Sequence, residues 1–223
     1  MTGKSASRPR VGILGGTFNP VHLCHTTVAE QCRLALGLDR IRFIPAGTPP
    51  HKRSLLAPAE HRLAMVRLAT AGNPAFEVSD LEVHRHGPSF TADTLRALRA
   101  AEPAVAWTLV VGLDAVLGLA TWHQPDQVLR LAPLAIPFRP GADFTELMHM
   151  PLLAGVDFGP LQNDLHHVPV TVHGGGIRLT LLPIPPCPHS ATAIRAAIRA
   201  GQHPVPGLSE TVANYIIEHH LYV

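Results

Sequence analysis

Lysine is almost missing from this chain: sixteen of its 18 basic residues are arginine, and the only lysines are Lys4 and Lys52. Charge of either sign is scarce, at 15% of 223 residues, and 18 basic against 16 acidic side chains leave a formal +2. With no excess of one sign, the chain lacks the electrostatic footprint of a general nucleic-acid or polyanion binder. Cysteine is limited to Cys24, Cys32 and Cys187, an odd set without a C-x-x-C. That argues against a disulfide framework and against a thiolate zinc site. Long hydrophobic runs are absent too. The stretch Val105–Val111 has strand length, far below the ~20 residues of a membrane-spanning helix. The N-terminus is polar, and only Val11 to Leu14 precede a glycine pair, so no signal-peptide core stands there. The expectation is a soluble protein of a reducing, cytoplasmic compartment, with neither membrane nor nucleic acid as partner.

What is present is enough to fold. The chain is 46% apolar, too hydrophobic for disorder, and its length suits one large domain. Arg10–Leu14 reads as a short buried strand ended by Gly15-Gly16. A stripe at Val28, Cys32, Ala35 and Leu36 marks a helix stopped by Gly37. Cys24, Val28 and Cys32 recur every four residues, which puts both early cysteines on one buried helix face. Strands follow at Arg42–Pro45, Phe76–Val83, Val105–Val111, Leu134–Phe138 and Ile177–Leu182. Helices are expected over 58–71, over 91–101, in two short pieces up to Ala132, and over 190–200 and 209–219. The alternation predicts an α/β, Rossmann-like, doubly wound parallel sheet. Residues 10–185 form the core of a single domain. The helical tail 186–223 packs at the sheet's carboxyl edge. The stretch 141–176 is the least legible, with a short helix near Glu146.

Two constellations carry chemistry. In the first, Gly15-Gly16-Thr17-Phe18-Asn19-Pro20-Val21-His22-Leu23-Cys24-His25, glycines follow the first strand and two histidines three apart stand in the first helical turn. Glycine lets the backbone approach a ligand, and a helix N-terminus attracts anions. It is neither a Walker loop nor G-x-G-x-x-G. Imidazoles there can hydrogen-bond phosphate oxygens and, if protonated, neutralise leaving-group charge. The glycine pair alone is equally an ordinary strand-to-helix turn, and a metal site on His22 and His25 lacks a third ligand. The second constellation is His189-Ser190-Ala191-Thr192-Ala193-Ile194-Arg195: an N-cap serine, a second hydroxyl and an arginine fork at a helix start. By itself it is also readable as a capped amphipathic helix with Arg195 and Arg199 in solvent. The remaining histidines, His84/His86 and His166/His167/His173, stand without carboxylate partners and read as surface residues.

Together the two segments resemble the paired signatures of the nucleotidyltransferase superfamily, G-G-T-F-D/N-P-x-H-x-G-H and I-S-x-T-x-I-R. Pro49-Pro50-His51-Lys52, Pro88-Ser89-Phe90-Thr91-Ala92-Asp93-Thr94, Gly112-Leu113-Asp114, Trp122, Arg139-Pro140-Gly141, Val212–Ile216 and Leu221-Tyr222 fall in the order of the bacterial nicotinate-nucleotide adenylyltransferase family. The resemblance spans nearly the whole chain. Three positions depart from the pattern: Cys24 for the usual Gly, Asn19 for the commoner Asp, and His189 for an apolar residue.

The resemblance implies adenylyl transfer from ATP to nicotinate mononucleotide, giving nicotinate adenine dinucleotide and pyrophosphate, with Mg²⁺ accompanying the triphosphate. Gly15, Gly16, Thr17 and Phe18 would line the junction of the two substrates. His22, His25, Ser190, Thr192 and Arg195 would hold the triphosphate. His51 and Lys52 would close over the phosphates, Thr91 and Trp122 would receive the pyridine nucleotide, Asp114 a ribose hydroxyl, and Arg139 would join the substrate side. His22, His25, Lys52 and Arg195 are the residues expected to act on the reacting phosphates. Two other readings stay open: the same chemistry on phosphopantetheine or nicotinamide mononucleotide, and an ATP sensor without turnover.

Overall fold

Seven strands among the described residues lie in one sheet, ordered from one edge as the third, second, first, fourth, fifth, seventh and sixth along the chain. The computed structural model describes residues 8–50, 56–162 and 169–223. β1 (Arg10–Gly16) pairs in parallel with β2 (Arg40–Pro45) on one side and with β4 (Ala106–Val110) on the other. β3 (Phe76–Val78) extends the sheet beyond β2, and β5 (Leu134–Phe138) and β7 (Ile177–Pro183) extend it beyond β4. Strand order reverses between β1 and β4. Loops leaving those two carboxyl ends diverge, and a crevice opens between them.

Side-chain alternation explains why both faces are covered. Val11 and Ile13 of β1 join one apolar cluster, whereas Leu14 joins the other. Leu109 and Val110 of β4 divide in the same way, and every residue of β5 is buried. Helices α3 (Thr91–Ala101), α4 (Leu113–Leu117), α5 (Pro125–Leu131) and α6 (Thr145–Met148) contribute to the first cluster through Leu95, Val116, Val128 and Leu147. The second is built by α1 (Leu23–Leu36), α2 (Ala59–Thr70) and α8 (Glu210–Glu218), through Ala29, Met65 and Val212. Truncating a fully buried residue such as Leu95 would cost about 2–5 kcal/mol. α1 ends where the sequence says it must: Gly37 adopts φ 58°, ψ 42°, the left-handed cap. No helix among the described residues is long and apolar enough to cross a membrane.

Three expectations need correction. The strand anticipated over Phe76–Val83 stops at Val78. Beyond it the chain turns, with the Val83 and His84 amides donating to the Asp80 carbonyl, so that Glu82 points inward. Alternation cannot distinguish that turn from an edge strand. The illegible stretch holds an extra strand, β6 (Val170–Gly174), antiparallel to β7. Gly175 and Gly176, at φ 57° and 80°, make its two-residue hairpin turn. The third correction concerns the cysteines. Cys24 and Cys187 form a disulfide with a Cα–Cα distance of 5.6 Å. Count and spacing describe neighbours in sequence, and this pair becomes neighbours only when the chain after β7 returns to α1. Cys24 and Cys32 do both face inward, as their spacing predicts.

α7 (Ala191–Arg199) and α8 follow β7. α8 packs on α2, and the Gly207 carbonyl accepts from the Leu23 amide at 2.8 Å. The tail thereby reaches the carboxyl edge beside β1.

Candidate active site

At that edge lies a cleft of about 1330 Å³. Gly15, Gly16, Thr17, Phe18, His25, Thr91, Asp114, Trp122, Arg139, Thr192 and Arg195 all line it. Two other expected residues stand back. His22 borders a small separate hollow with Ser209 and Val212, and Ser190 acts as a helix cap. His51 and Lys52 lie outside the described residues, as do His166 and His167; Pro49 and Pro50, just before, line the cleft.

Local sterics shape the glycine loop. A Cβ on Gly15 would meet nothing within 4 Å, so the chain there presents bare backbone to the cleft. A Cβ on Gly16 would come within 3.1 Å of the Phe18 ring, which is itself buried. Asn19 ties the loop down: its Oδ1 accepts from the Ala57 amide at 3.0 Å. Beneath lies Arg62, a residue sequence reasoning missed. It is 1% exposed and donates from Nε to the Ala57 carbonyl (2.9 Å), from Nη1 to Thr17 (2.8 Å) and from Nη2 to Gly47 (2.9 Å). One guanidinium thus joins the loops after β1 and β2. Burial lowers its pKa, with Tyr222 acting against that shift. A signal was available, because Arg62 sits four residues before Val66 on the buried stripe of α2.

The two histidines divide their tasks. His22 is the extended N-cap of α1 and not part of its first turn, and its backbone amide donates to Nδ1 of His25 at 3.1 Å. That bond leaves the proton of a neutral His25 on Nε2. The rings are 3.9 Å apart, and Phe18 meets His25 edge-on at 5.0 Å. Burial, reinforced by His189, pushes His22 down to about 4. That shift favours the neutral ring at pH 7, and the structure sets it in the small hollow behind the cleft.

The tail supplies the opposite wall. The Ser190 hydroxyl accepts from the Ala193 amide at 3.2 Å, satisfying one orphan N–H of α7. Arg195 donates from Nη1 to the Asn19 carbonyl at 2.8 Å and from Nη2 to the Thr192 hydroxyl at 3.4 Å. Tyr222 is half-buried beside Arg62 and Arg195, and desolvation raises its pKa.

On the far side, Trp122 is half-buried, and next to it Phe90 and His123 stack at 4.3 Å with 24° between their planes. A planar heterocycle would find aromatic faces here. Glu82, also on the cleft wall, is 7% exposed and accepts from the Thr94 hydroxyl at 2.6 Å. Desolvation raises its pKa against the hydrogen bonds from Thr94 and Ser89. Asp114 is exposed in the first turn of α4, whose N-cap is Gly112, so it is not the capping residue. Arg139 is exposed just past β5. His84 does have carboxylate neighbours, Asp80 at 3.5 Å and Glu60 at 3.9 Å, but no connection to the cleft. Among the described residues, no group of three His, Cys, Asp or Glu is placed to hold a metal ion.

The sequence profile of the Cytidylyltransferase-like family matches residues 13–197. A protein of Herpetosiphon aurantiacus named probable nicotinate-nucleotide adenylyltransferase is 38% identical over 96% of this chain and 98% of its own length. A Symbiobacterium thermophilum protein of the same name is 39% identical over 96% and 95%. The fold is that of Plasmodium falciparum nicotinic acid mononucleotide adenylyltransferase, solved in complex with NaAD. The TM-score is 0.70 at 17% identity, over 96% of this chain and 97% of that one. With two signature segments meeting across one cleft and full-length relatives at this identity, the chain belongs to the Cytidylyltransferase-like family and, within it, to the nicotinate-nucleotide adenylyltransferases.

Proposed function

We propose that the chain transfers the adenylyl group of ATP to nicotinate mononucleotide, forming nicotinate adenine dinucleotide and pyrophosphate. The observation that carries this reading is the division of one cleft. The glycine loop, His25, Thr192 and Arg195 form one end, and Trp122 with the Phe90–His123 stack forms the other. The first set suits a triphosphate and the second a pyridine ring, with the α-phosphorus between them.

The acceptor's phosphate is already a nucleophile, so the protein needs neither a general base nor a covalent intermediate. Its work is alignment and charge stabilisation. Bare backbone at Gly15 and Gly16 admits the reacting phosphates. Nε2–H of His25 is a hydrogen-bond donor for phosphate oxygens, and His22 fixes that tautomer through its backbone amide. Arg195 and the α7 N-terminus stabilise negative charge on the departing pyrophosphate. Thr91 and Trp122 hold the acceptor, Asp114 takes a ribose hydroxyl, and Arg139 lies at the acceptor's rim. His51 and Lys52, in the Pro-flanked segment after Pro50, are assigned to the phosphates. A divalent cation, Mg²⁺ by expectation, would accompany the triphosphate and be held through the ATP phosphates, in keeping with the lack of a metal-holding cluster among the described residues. Bound there, it would supply further charge neutralisation. The setting is the cytoplasm, where ATP and pyridine nucleotides are present.

Mixing the protein with ATP and, separately, nicotinate mononucleotide, nicotinamide mononucleotide or phosphopantetheine, and following pyrophosphate, tests the proposal. Release should be fastest with nicotinate mononucleotide. Preference for another acceptor reassigns the substrate, and ATP binding without release makes the protein a sensor.

A further inference from the structure

We propose that Cys24 and Cys187 form a thiol–disulfide exchange site through which a dithiol reductant weakens ATP binding. The inference rests on reading the glycine-loop end of the cleft as the ATP site.

The position of the bridge is the main argument. Cys24 is the second residue of α1, between His22 and His25, and it lines the cleft. Cys187 lies three residues before Ser190, the N-cap of α7. One covalent bond therefore joins the starts of the two helices that face the triphosphate, across 163 positions of sequence. Both helix starts carry partial positive charge and repel each other until an anion lies between them. Other ties between the tail and the first loop are weaker at this point: the hydrogen bonds Leu23 to Gly207 and Arg195 to Asn19, each 2.8 Å, and the approach of the Cys24 sulfur to the His189 carbonyl at 3.3 Å, while the packing of α8 on α2 lies farther along the tail. Opening the bridge leaves the repulsion and removes the strongest restraint against it. The empty cleft then widens, and ATP must pay the ordering entropy that the bridge had removed in advance.

Access favours exchange at one sulfur. Cys187 is partly exposed between the exposed Pro186 and Pro188, whereas Cys24 is buried. A reductant thiolate attacks Sγ of Cys187, forms a mixed disulfide and expels the Cys24 thiolate, which takes up a proton. The reductant's second thiol attacks the mixed disulfide, releases the Cys187 thiol and leaves as a cyclic disulfide. Two electrons and two protons pass from dithiol to protein. The remaining cysteine does not compete: Cys32 is 0% exposed, and burial pushes its thiol up to about 12.

The test uses the full chain, oxidised with oxidised glutathione or reduced with dithiothreitol. Thiols are counted in denaturant, and ATP is titrated without acceptor. Oxidised protein should show one thiol and reduced protein three, given the three cysteines of the sequence. Reduction should raise the Kd for ATP at least about fivefold. Cys187→Ser should keep the weaker Kd under both conditions, and Cys32→Ser should respond as the wild type does. Three thiols after oxidation, or a Kd indifferent to dithiothreitol, overturns the inference, as does a Cys187→Ser protein that still responds. ATP binding in neither state overturns this inference and the proposed function together. A redox response without pyrophosphate release from any acceptor leaves the exchange site standing and removes only the acceptor assignment.

Discussion

Arg195, in the second turn of α7, donates to the carbonyl oxygen of Asn19 at 2.8 Å, 176 positions earlier in the chain. The bond holds the guanidinium at the glycine loop, whereas Arg199, one turn on, is exposed. Arg195→Lys keeps the charge but loses the planar fork. It should lower ATP affinity or turnover about tenfold, ~1.4 kcal/mol. Arg199→Lys should stay within ~0.5 kcal/mol of wild type. ATP titration and pyrophosphate release for the two variants side by side decide the matter; equal behaviour would remove Arg195 from the site.

His22 makes stability depend on pH in a defined window. Its folded value of about 4 lies below the ordinary 6.5 because burial disfavours the charged ring. The unfolded chain therefore binds the proton first. The contribution is complete above pH 6.5, declines as pH falls toward 4 and is lost below that. Urea midpoints at pH 7.5, 5.5 and 4.5 should fall for the wild type and fall less for His22→Gln. Parallel curves would mean that other groups cause the acid loss.

Arg62 should matter for stability and for nucleotide binding. Replacement by Met fills the space but leaves the carbonyls of Ala57, Thr17 and Gly47 without their donor. A loss of at least ~3 kcal/mol in urea denaturation is expected, with a raised KM for ATP in the fraction that stays folded. A cost under ~1 kcal/mol with unchanged KM would show that the loops hold their shape unaided.

Trp122 separates the two substrates. Trp122→Ala should weaken the mononucleotide by roughly 1–2 kcal/mol and ATP far less. Equal weakening of both, or a lower Tm with unchanged affinities, would make the indole a packing residue.

The contrast between Ser190 and Arg62 shows what a sequence reveals about such a site. Ser190 was legible because capping is local: a hydroxyl before an apolar stripe has one dominant use, and the Ala193 amide confirms it. The parallel core strands and the Gly37 stop were legible for the same reason. For Arg62 only its place on the buried stripe of α2 was legible; its partners are backbone carbonyls on three separate segments, which leave no trace in residue type. The Phe90–His123 stack depends on two loops meeting, and the Cys24–Cys187 bond on the tail's return. β6 is a different case: the Gly175-Gly176 turn between alternating apolar residues is a hairpin signal that the surrounding Pro, Gly and His obscured.

The long separations across the cleft bear on the order in which the molecule assembles. β1, β2, β4 and β5 can pair as soon as the first 138 positions are available. Arg195, Gly207 and Tyr222 must then travel back to the first loop, closing chain segments of the greatest length and the slowest kind. The expectation is that the central strands pair before the cleft able to bind a nucleotide is complete. A refolding experiment followed by backbone signal and by a fluorescent ATP analogue would show two times, the nucleotide signal being the later.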